Sequence, residues 1–196
     1  SKTKEQFDLN YEKICLNKIK DNKDLRKKLR NNFTMVLQDT WLFKGSIMEN
    51  IRYANLDATD KEVKEAARKA RANHFIEALP NSYDFEINEE ASNLSNGEKQ
   101  LITIARAILA DKPILILDEA TSSIDTRTEI LVQKAMNKLM ENRTTFVIAH
   151  RLSTIKNADT ILVLKDGNII EQGNHEELLE KRGFYFDLYN SQFQEV

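Results

Sequence analysis

The sequence predicts an α/β protein with a mostly parallel sheet. Runs of strand character alternate along the chain with runs of helical periodicity, and the run ILIL (114–117) is apolar at every position. An unbroken apolar run is typical of a strand that is covered on both faces in a parallel sheet. Strand and helix in repetition along one chain is the pattern of an α/β fold.

Five segments have strand character, and turn residues or helical runs separate them. The predicted strands are TMVLQ (34–38), PILILDE (113–119), TTFVIAH (144–150), TILVLKD (160–166) and NIIEQG (168–173).

Four helices are predicted from their capping and stop signals. Thr59 or Asp60 can cap the first helix, DKEVKEAARKARANHFIEAL, whose apolar residues recur on one face. Ser95 can cap the second, GEKQLITIARAILA, which ends before Pro113. The third helix is TRTEILVQKAMNKLM, and the fourth, EELLEKRGFYFDLY, is interrupted near Gly183.

The chain divides into three regions of different character. Residues 46–94 are helical and rich in Ala, Lys and Glu, with strands on both sides, so we expect a helical subdomain inserted into the α/β core. Residues 1–45 are expected to form the N-terminal part of that core, and residues 95–196 its C-terminal part.

Composition excludes several classes of protein. The chain has 196 residues, 29 Lys and Arg, 31 Asp and Glu, and a formal charge of -2, without a basic stripe interleaved with aromatics, so nucleic acid is not an expected partner. The single cysteine, Cys15, excludes an internal disulfide and suits a reducing compartment. Apolar runs stay short of the roughly 20 residues that span a bilayer, and SKTKEQFDLN lacks the core of a signal peptide. We expect a soluble, cytoplasmic chain.

Two acids follow the most apolar strand. Ligands in open parallel sheets bind at the carboxyl ends of the strands, and ILIL is followed by Asp118 and Glu119. An apolar strand ending in Asp-Glu is the Walker B arrangement, in which one carboxylate helps to hold Mg²⁺ and the next polarises an attacking water. The residues alone leave open a second interpretation, a pair of capping acids in a strand-to-helix turn.

Polar residues also end two other predicted strands. His150 follows TTFVIA and is a candidate hydrogen-bond donor to a γ-phosphate, while Gln38 ends TMVLQ and can ligate Mg²⁺ or orient a water. Each residue alone is more often structural. Together with Asp118 and Glu119 they describe a phosphoryl-transfer site better than any one of them does.

The stretch LSNGEKQ resembles a phosphate-binding helix start. The Ser95 hydroxyl and the amides from Gly97 onward would face an anion, and the helix dipole would favour it. The pattern S-x-x-E before an apolar run is also an ordinary capping box.

Assembled in order, these motifs resemble the nucleotide-binding domain of ABC transporters of the exporter type. The stretch 94–125, LSNGEKQLITIARAILADKPILILDEATSSID, is similar to the signature motif, its helix, Walker B and the D-loop. TMVLQDTWLFKGSIMENI resembles the Q-loop and the segment after it, and VIAHRLSTIKNADTILVLKDGNIIEQGNHEELL resembles the H-loop region. The similarity extends from Phe33 to Phe193. It implies a P-loop NTPase-like (RecA-like) core with a helical subdomain and a truncated N-terminal part.

The resemblance implies a role for each motif residue. Gln38 would sense Mg²⁺ and couple to the transmembrane part, Asp118 would serve the Mg²⁺ shell, Glu119 would be the general base and His150 the γ-phosphate switch. The signature would contact the γ-phosphate of ATP bound to the opposite domain, and the D-loop would cross between the two domains. The residues concerned are Ser95, Asn96, Gly97 and Glu98 in the signature, and Ser123 and Asp125 in the D-loop.

The implied cofactors are ATP and Mg²⁺. The implied partners are a second nucleotide-binding domain, in a homo- or heterodimer, and the transmembrane domain of an exporter at the cytoplasmic face of the cell membrane. Glu89 and Glu90 lie where exporters have a loop that faces the transmembrane helices. Trp41, Leu42 and Phe43 either dock a membrane-domain helix or are buried under the helical insertion.

The sequence departs from the family pattern in two ways. Asn96 stands where the family usually has a glycine and Glu98 where it usually has glutamine; Asn tolerates left-handed backbone angles, and Glu98 can cap the helix. The G-x-x-x-x-G-K-[ST] loop, which cradles the β- and γ-phosphates, is not in the sequence, and residues 11–32 resemble the region before the Q-loop in degenerate form.

We therefore expect the C-terminal two-thirds or more of an exporter ATPase domain, inactive when alone. A non-enzymatic or regulatory module that offers its signature face to a partner's ATP is the alternative. A soluble ABC ATPase of DNA repair or translation is disfavoured by the exporter-like QDTWLFKGSIMENI.

Overall fold

The computed structural model describes residues 20, 22–118, 125–149 and 155–193. These residues divide into two compact units. The first holds the described residues up to Leu117 together with those from Asp125 to Phe146, and the second holds Asp118 and the described residues from Val147 onward. Cys15, Glu119, Ser123 and His150 lie outside the described residues.

Most residues of a three-stranded sheet belong to the first unit. Its strands are β1 (Phe33–Val36), β4 (Ile114–Asp118) and β5 (Thr144–Ile148), in the order β1-β4-β5. β1 and β4 run parallel, with Phe33 opposite Ile114 and Val36 opposite Leu117. The predicted α/β architecture with a parallel sheet is therefore present. The predicted strand 168–173 coincides with the observed Asn168–Gly173, whereas the prediction 160–166 is one residue too long at each end, and the prediction 34–38 begins one residue late and extends two residues past Val36.

Two long helices belong to this α/β part: α5 (Asn96–Ala110) and α6 (Thr126–Met140). α5 begins at the Ser95 cap and ends at Asp111, whose backbone is left-handed with φ 45 before Lys112 and Pro113. The fully buried Leu101, Ile102 and Ile104 of α5 belong to the core. In β4, Leu115 and Leu117 are buried whereas Ile114 and Ile116 are half-buried. The sequence predicts a strand that is covered on both faces, but the described residues cover only one face completely.

A basic helix precedes β1. The helix α1 (Lys23–Arg30) begins at Asn22, whose side chain accepts hydrogen bonds from the amides of Asp24 and Leu25. Every residue of α1 is exposed or half-exposed.

The helical block lies between β1 and α5. It contains α2 (Ile47–Arg52), α3 (Asp60–Lys69), α4 (Asn73–Ala78) and a 3-10 turn (Ser82–Asp84), and it opens and closes on the short antiparallel pair β2 (Gly45–Ser46) and β3 (Glu86–Ile87). Ser46 and Thr59 cap α2 and α3 through capping boxes.

The sequence predicted one helix where the structure has α3 and α4. Arg71 separates them with a left-handed backbone, φ 59, and Ala72 is fully buried beside it. Because Ala-Arg-Ala-Asn lacks glycine and proline, the local pattern gives no stop signal, and packing of the two helices decides the break.

The second unit is a hairpin with two helices. β6 (Ile161–Lys165) and β7 (Asn168–Gly173) pair antiparallel through Asp166 and Gly167. The helices α7 (His175–Lys181) and α8 (Phe184–Phe193) follow, separated near Gly183 as predicted. Ile161, Val163, Leu178 and Tyr185 form a core of their own, and the Tyr185 ring of α8 is fully buried in it.

Candidate functional site

Ser95 and Glu98 form a reciprocal capping box at the start of α5. The Ser95 amide and hydroxyl both donate to Glu98 Oε2 at 2.8 Å, and the Glu98 amide donates to Ser95 Oγ at 3.3 Å. The predicted cap is therefore confirmed. Glu98 directs its carboxylate toward Ser95, not away from it.

Backbone angles at this turn differ from the expectation for Asn96. Asn96 is the first residue of α5 and is not among the described non-glycine residues with positive φ. Its replacement of glycine therefore needs no left-handed tolerance, because the helix has already begun there. Ser95 and Asn96 are exposed, whereas Gly97 is buried.

This helix start can receive an anion. The N-terminus of a 15-residue helix and the positive end of its dipole favour an anion, and Ser95, whose hydroxyl caps this helix, is exposed. The Glu98 carboxylate already occupies that hydroxyl, so an incoming phosphate would have to displace or rotate it.

Gln38 and Asp118 follow one register pair of the parallel sheet. Val36 lies opposite Leu117; Asp118 is the next residue of β4, and Gln38 lies two residues beyond Val36. Gln38 is exposed and Asp118 half-buried. Their amide and carboxylate oxygens are the ligand type that Mg²⁺ prefers.

Asp125 is the N-cap of α6. Its Oδ1 accepts from the amides of Arg127 and Thr128, each at 3.1 Å. The hydrogen bonds from Thr128, side chain first and then backbone, lower the pKa of Asp125 below its ordinary value. In the described structure this residue therefore has a local capping role.

Arg106 is a functional candidate that the sequence reasoning missed. Its guanidinium donates to the carbonyl oxygen of Trp41 at 2.6 Å, to Asn50 Oδ1 at 2.6 Å and to the Asn50 carbonyl oxygen. A cation inside the apolar run ITIARAIL was the available signal, since such a residue on a packed helix needs partners. Burial lowers the pKa of Arg106 to about 10, so it remains protonated at neutral pH.

Three aromatic rings surround that guanidinium. Its central carbon lies 5.9 Å from the ring centroid of Trp41, 5.7 Å from that of Phe43 and 5.8 Å from that of Tyr53. The rings also contact one another, with centroids 5.6 to 6.2 Å apart. We call Trp41, Phe43 and Tyr53 the aromatic surface.

Two of the three rings of the aromatic surface are open to solvent, and the third, Phe43, is half-buried. Trp41 is 62% exposed and Tyr53 59% exposed, whereas Leu42 is buried. Of the two alternatives for this segment, burial thus holds for Leu42 and not for Trp41. Glu89 and Glu90 are exposed, and the Glu89 carboxylate pairs with Lys44 at 3.3 Å.

Two features are absent from the described residues, a metal-binding cluster and a membrane-spanning helix. They contain no group of three or more His, Cys, Asp or Glu residues placed to hold a metal ion. Within the same residues, every helix is too short or too polar to cross a bilayer.

An apolar strand with Asp118, a helix capped by Ser95 and a parallel strand leading to Gln38 follow one another as the resemblance to ABC transporter nucleotide-binding domains predicts. The family profile for ABC transporters matches residues 5–122. The chain belongs to the ABC transporter family, and the resemblance of its motifs is confirmed.

Individual relatives agree with this assignment. The chain is 57% identical over 169 residues to the ABC transporter ATP-binding protein YfiC of Bacillus subtilis, covering 86% of this chain and 28% of that protein. It is 55% identical over 163 residues to a fatty acid ABC transporter ATP-binding/permease protein of Mycobacterium bovis, covering 83% of this chain and 26% of that protein.

A solved structure supports the fold. A bacterial Atm1-family ABC exporter with ATP bound superposes with a TM-score of 0.77 at 44% identity, covering 85% of this chain and 29% of that chain. The P-loop NTPase-like α/β fold is therefore confirmed. The chain spans less than a third of the length of these relatives.

Proposed function

We propose that the chain is the ATP-binding and ATP-hydrolysing part of an ABC exporter, which couples ATP hydrolysis to export of a substrate at the cytoplasmic face of a membrane. The observation that carries the proposal is the start of α5, where the exposed Ser95 caps a 15-residue helix. Similarity to ATP-binding proteins and to an exporter supports it.

The residues present fit both groups that the proposal requires. The oxygens of Asp118 and Gln38 suit Mg²⁺, which would neutralise charge on the transferred phosphate. The start of α5 suits a γ-phosphate. By resemblance to the family, the phosphate at Ser95 would belong to ATP held by a second nucleotide-binding domain.

Each motif residue then has a proposed task. Glu119 would accept a proton from the attacking water, and His150 would donate a hydrogen bond to the γ-phosphate. Ser95, Asn96 and Gly97 would bind that phosphate with hydroxyl and amides, while Glu98 holds the turn. Ser123 and Asp125 would lie between the two domains.

The aromatic surface supports a membrane partner. An exposed tryptophan and tyrosine around a cation form an amphipathic patch, and such patches on soluble units mark interaction sites. We propose that it receives a helix of the transmembrane domain, with the Glu89 and Glu90 loop as a second contact. Tyr53 of this surface lies in the helical subdomain, residues 46–94, whereas Trp41 and Phe43 lie in the segment that precedes it.

The test measures ATP turnover by a chain that has a complete phosphate cradle. A segment that contains a G-x-x-x-x-G-K-[ST] loop is joined ahead of this chain, and phosphate release is measured with Mg-ATP. We expect Glu119→Gln to lower turnover by about 10²- to 10⁴-fold, the usual contribution of a general base. Glu180→Gln, a matched acid-to-amide change at an exposed position of α7, should keep turnover. Equal turnover in Glu119→Gln would refute the assignment of the base.

The sequence also favours a second candidate, a non-enzymatic module that presents its signature face to a partner. The missing loop predicts that the unmodified chain does not bind Mg-ATP tightly. Calorimetric titration of the unmodified chain with Mg-ATP tests this, and tight binding would contradict it. If the chimera binds Mg-ATP but neither it nor a mixture with a complete domain turns ATP over, the module is the better description.

A further inference from the structure

The Arg106 side chain joins two segments that are distant in sequence. It extends from α5 and reaches the main chain at Trp41, 65 residues away, and at Asn50, 56 residues away. Asn50 is fully buried, and its own side chain accepts from the Phe43 amide at 3.1 Å and donates to the Phe43 carbonyl at 3.0 Å. Arg106 and Asn50 together thus hold the backbone of Trp41 and Phe43 beside α2, the helix that leads to Tyr53.

The partners of this cation are neutral. Among the described residues, the ion pairs do not include Arg106. Carbonyl oxygens, an amide oxygen and three ring faces balance its charge instead. A charge removed from water is tolerated when its donors are bonded, and the ring faces add attraction. These contacts are directional, and they constrain where each partner lies.

Lysine cannot reproduce the arrangement. A guanidinium is a planar fork with five donors, whereas an ammonium is a compact point charge that keeps its hydration more strongly. Only the fork can donate from Nη1 to Trp41 while Nε and Nη2 donate to Asn50. Replacing Arg106 by lysine keeps the positive charge and removes the planar fork, so this change separates the contribution of the fork geometry from that of the charge.

We propose that Arg106 is a positioning residue: it sets the orientation of Trp41 and Tyr53 on the aromatic surface and ties that surface to the helix that begins at Ser95. A partner docked on the rings would then sense movement of α5 through one side chain. This inference rests on the proposed function, because it gives the aromatic surface a partner to receive.

The first experiment uses Trp41, the only tryptophan of the chain, as the reporter. Arg106→Lys and Arg106→Met are compared with the wild-type chain by tryptophan emission and acrylamide quenching. We expect both variants to shift the emission maximum and to raise the quenching constant. Arg68→Lys is the matched control, since Arg68 bonds Glu65 on the surface of α3. A folded Arg106→Lys variant with wild-type emission and quenching would overturn the proposal.

The second experiment needs no variant at this position, so it decides the question even if both variants unfold. In the wild-type chain labelled with ¹⁵N, the Arg106 Nε proton is assigned through bonds. We expect slow exchange with solvent, resolved Nη signals from hindered rotation and ring-current shifts. An Arg106 side chain that exchanges and rotates as fast as that of Arg68 would overturn the proposal.

Neither measurement contains nucleotide, and this separates the two hypotheses. ATP turnover of the chimera decides the proposed function, whereas Trp41 and the Arg106 protons decide the positioning role. If the chimera is inactive while both spectroscopic results hold, the ATPase proposal fails and the positioning geometry stands.

Discussion

The carboxylate of Glu98 accepts hydrogen bonds from both the amide and the hydroxyl of Ser95, each at 2.8 Å. The acid that departs from the family pattern is therefore the residue that closes the capping box. One carboxylate stabilises the helix start and at the same time places a negative charge where a phosphate would bind. The first effect favours the folded helix start, whereas the second opposes phosphate binding.

Replacing Glu98 by glutamine should separate the stabilisation of the helix start from the repulsion of a phosphate. The amide oxygen can still accept from Ser95, while loss of the negative charge at the helix start should lower the free energy of unfolding by less than about 1 kcal/mol. Removal of the repulsion should tighten the Mg-ATP-dependent association of the chain with a complete nucleotide-binding domain, measured by light scattering.

The control for this change is Glu62→Gln, because Glu62 closes the same kind of box with Thr59 at the start of α3. It should leave the association unchanged. Weaker association of the Glu98→Gln variant would contradict the expected repulsion.

Asn50→Ala should be strongly destabilising. The substitution removes the side-chain partner of the Phe43 amide and carbonyl and one partner of Arg106, all in a fully buried place. Leaving such groups unpaired costs about 1–3 kcal/mol. The loss in the free energy of unfolding is measured by urea denaturation. Asn55→Ala, at an exposed position of the same block, should change stability far less, and equal losses in the two variants would contradict the packing argument.

Acid should remove the contribution of Asp125. Hydrogen bonds from Thr128 lower the pKa of this carboxyl in the folded state, so its contribution to stability is present above the unfolded pKa of about 3.9 and is lost as pH falls through the folded value. Thermal unfolding of the wild type and of Asp125→Asn, which caps without titrating, should therefore differ most at neutral pH and converge at low pH. A difference independent of pH would count against the mechanism.

Glu171→Ala should loosen the start of α8. The Glu171 carboxylate accepts from the amides of Phe184 at 2.7 Å and Tyr185 at 2.9 Å, which ties β7 to the helix. We expect faster hydrogen exchange at both amides and a loss of about 1–3 kcal/mol. Glu180→Ala, an exposed acid in α7, should leave those two amides protected. Unchanged protection in Glu171→Ala would show that the contact does not hold the helix.

Local signals in the sequence predicted the elements that depend on near neighbours. The Ser95 cap, the interruption at Gly183 and the residues of α6 follow from interactions within a few positions. The hairpin of β6 and β7 had such a signal as well, because Asp166 and Gly167 both have positive φ, 50 and 77, as a tight hairpin turn requires. The structure pairs these two strands antiparallel in a two-stranded sheet.

The sequence by itself determined the family, the order of the motifs and the chemistry that their residues can perform, because these depend on residue type and short spacing. Tertiary structure decided that Trp41 is open while Leu42 is buried, and that Arg106 lies among three rings. Those outcomes depend on contacts between residues more than 50 positions apart. No local pattern encodes them, since long-range packing selects which side chains meet only when the whole unit folds.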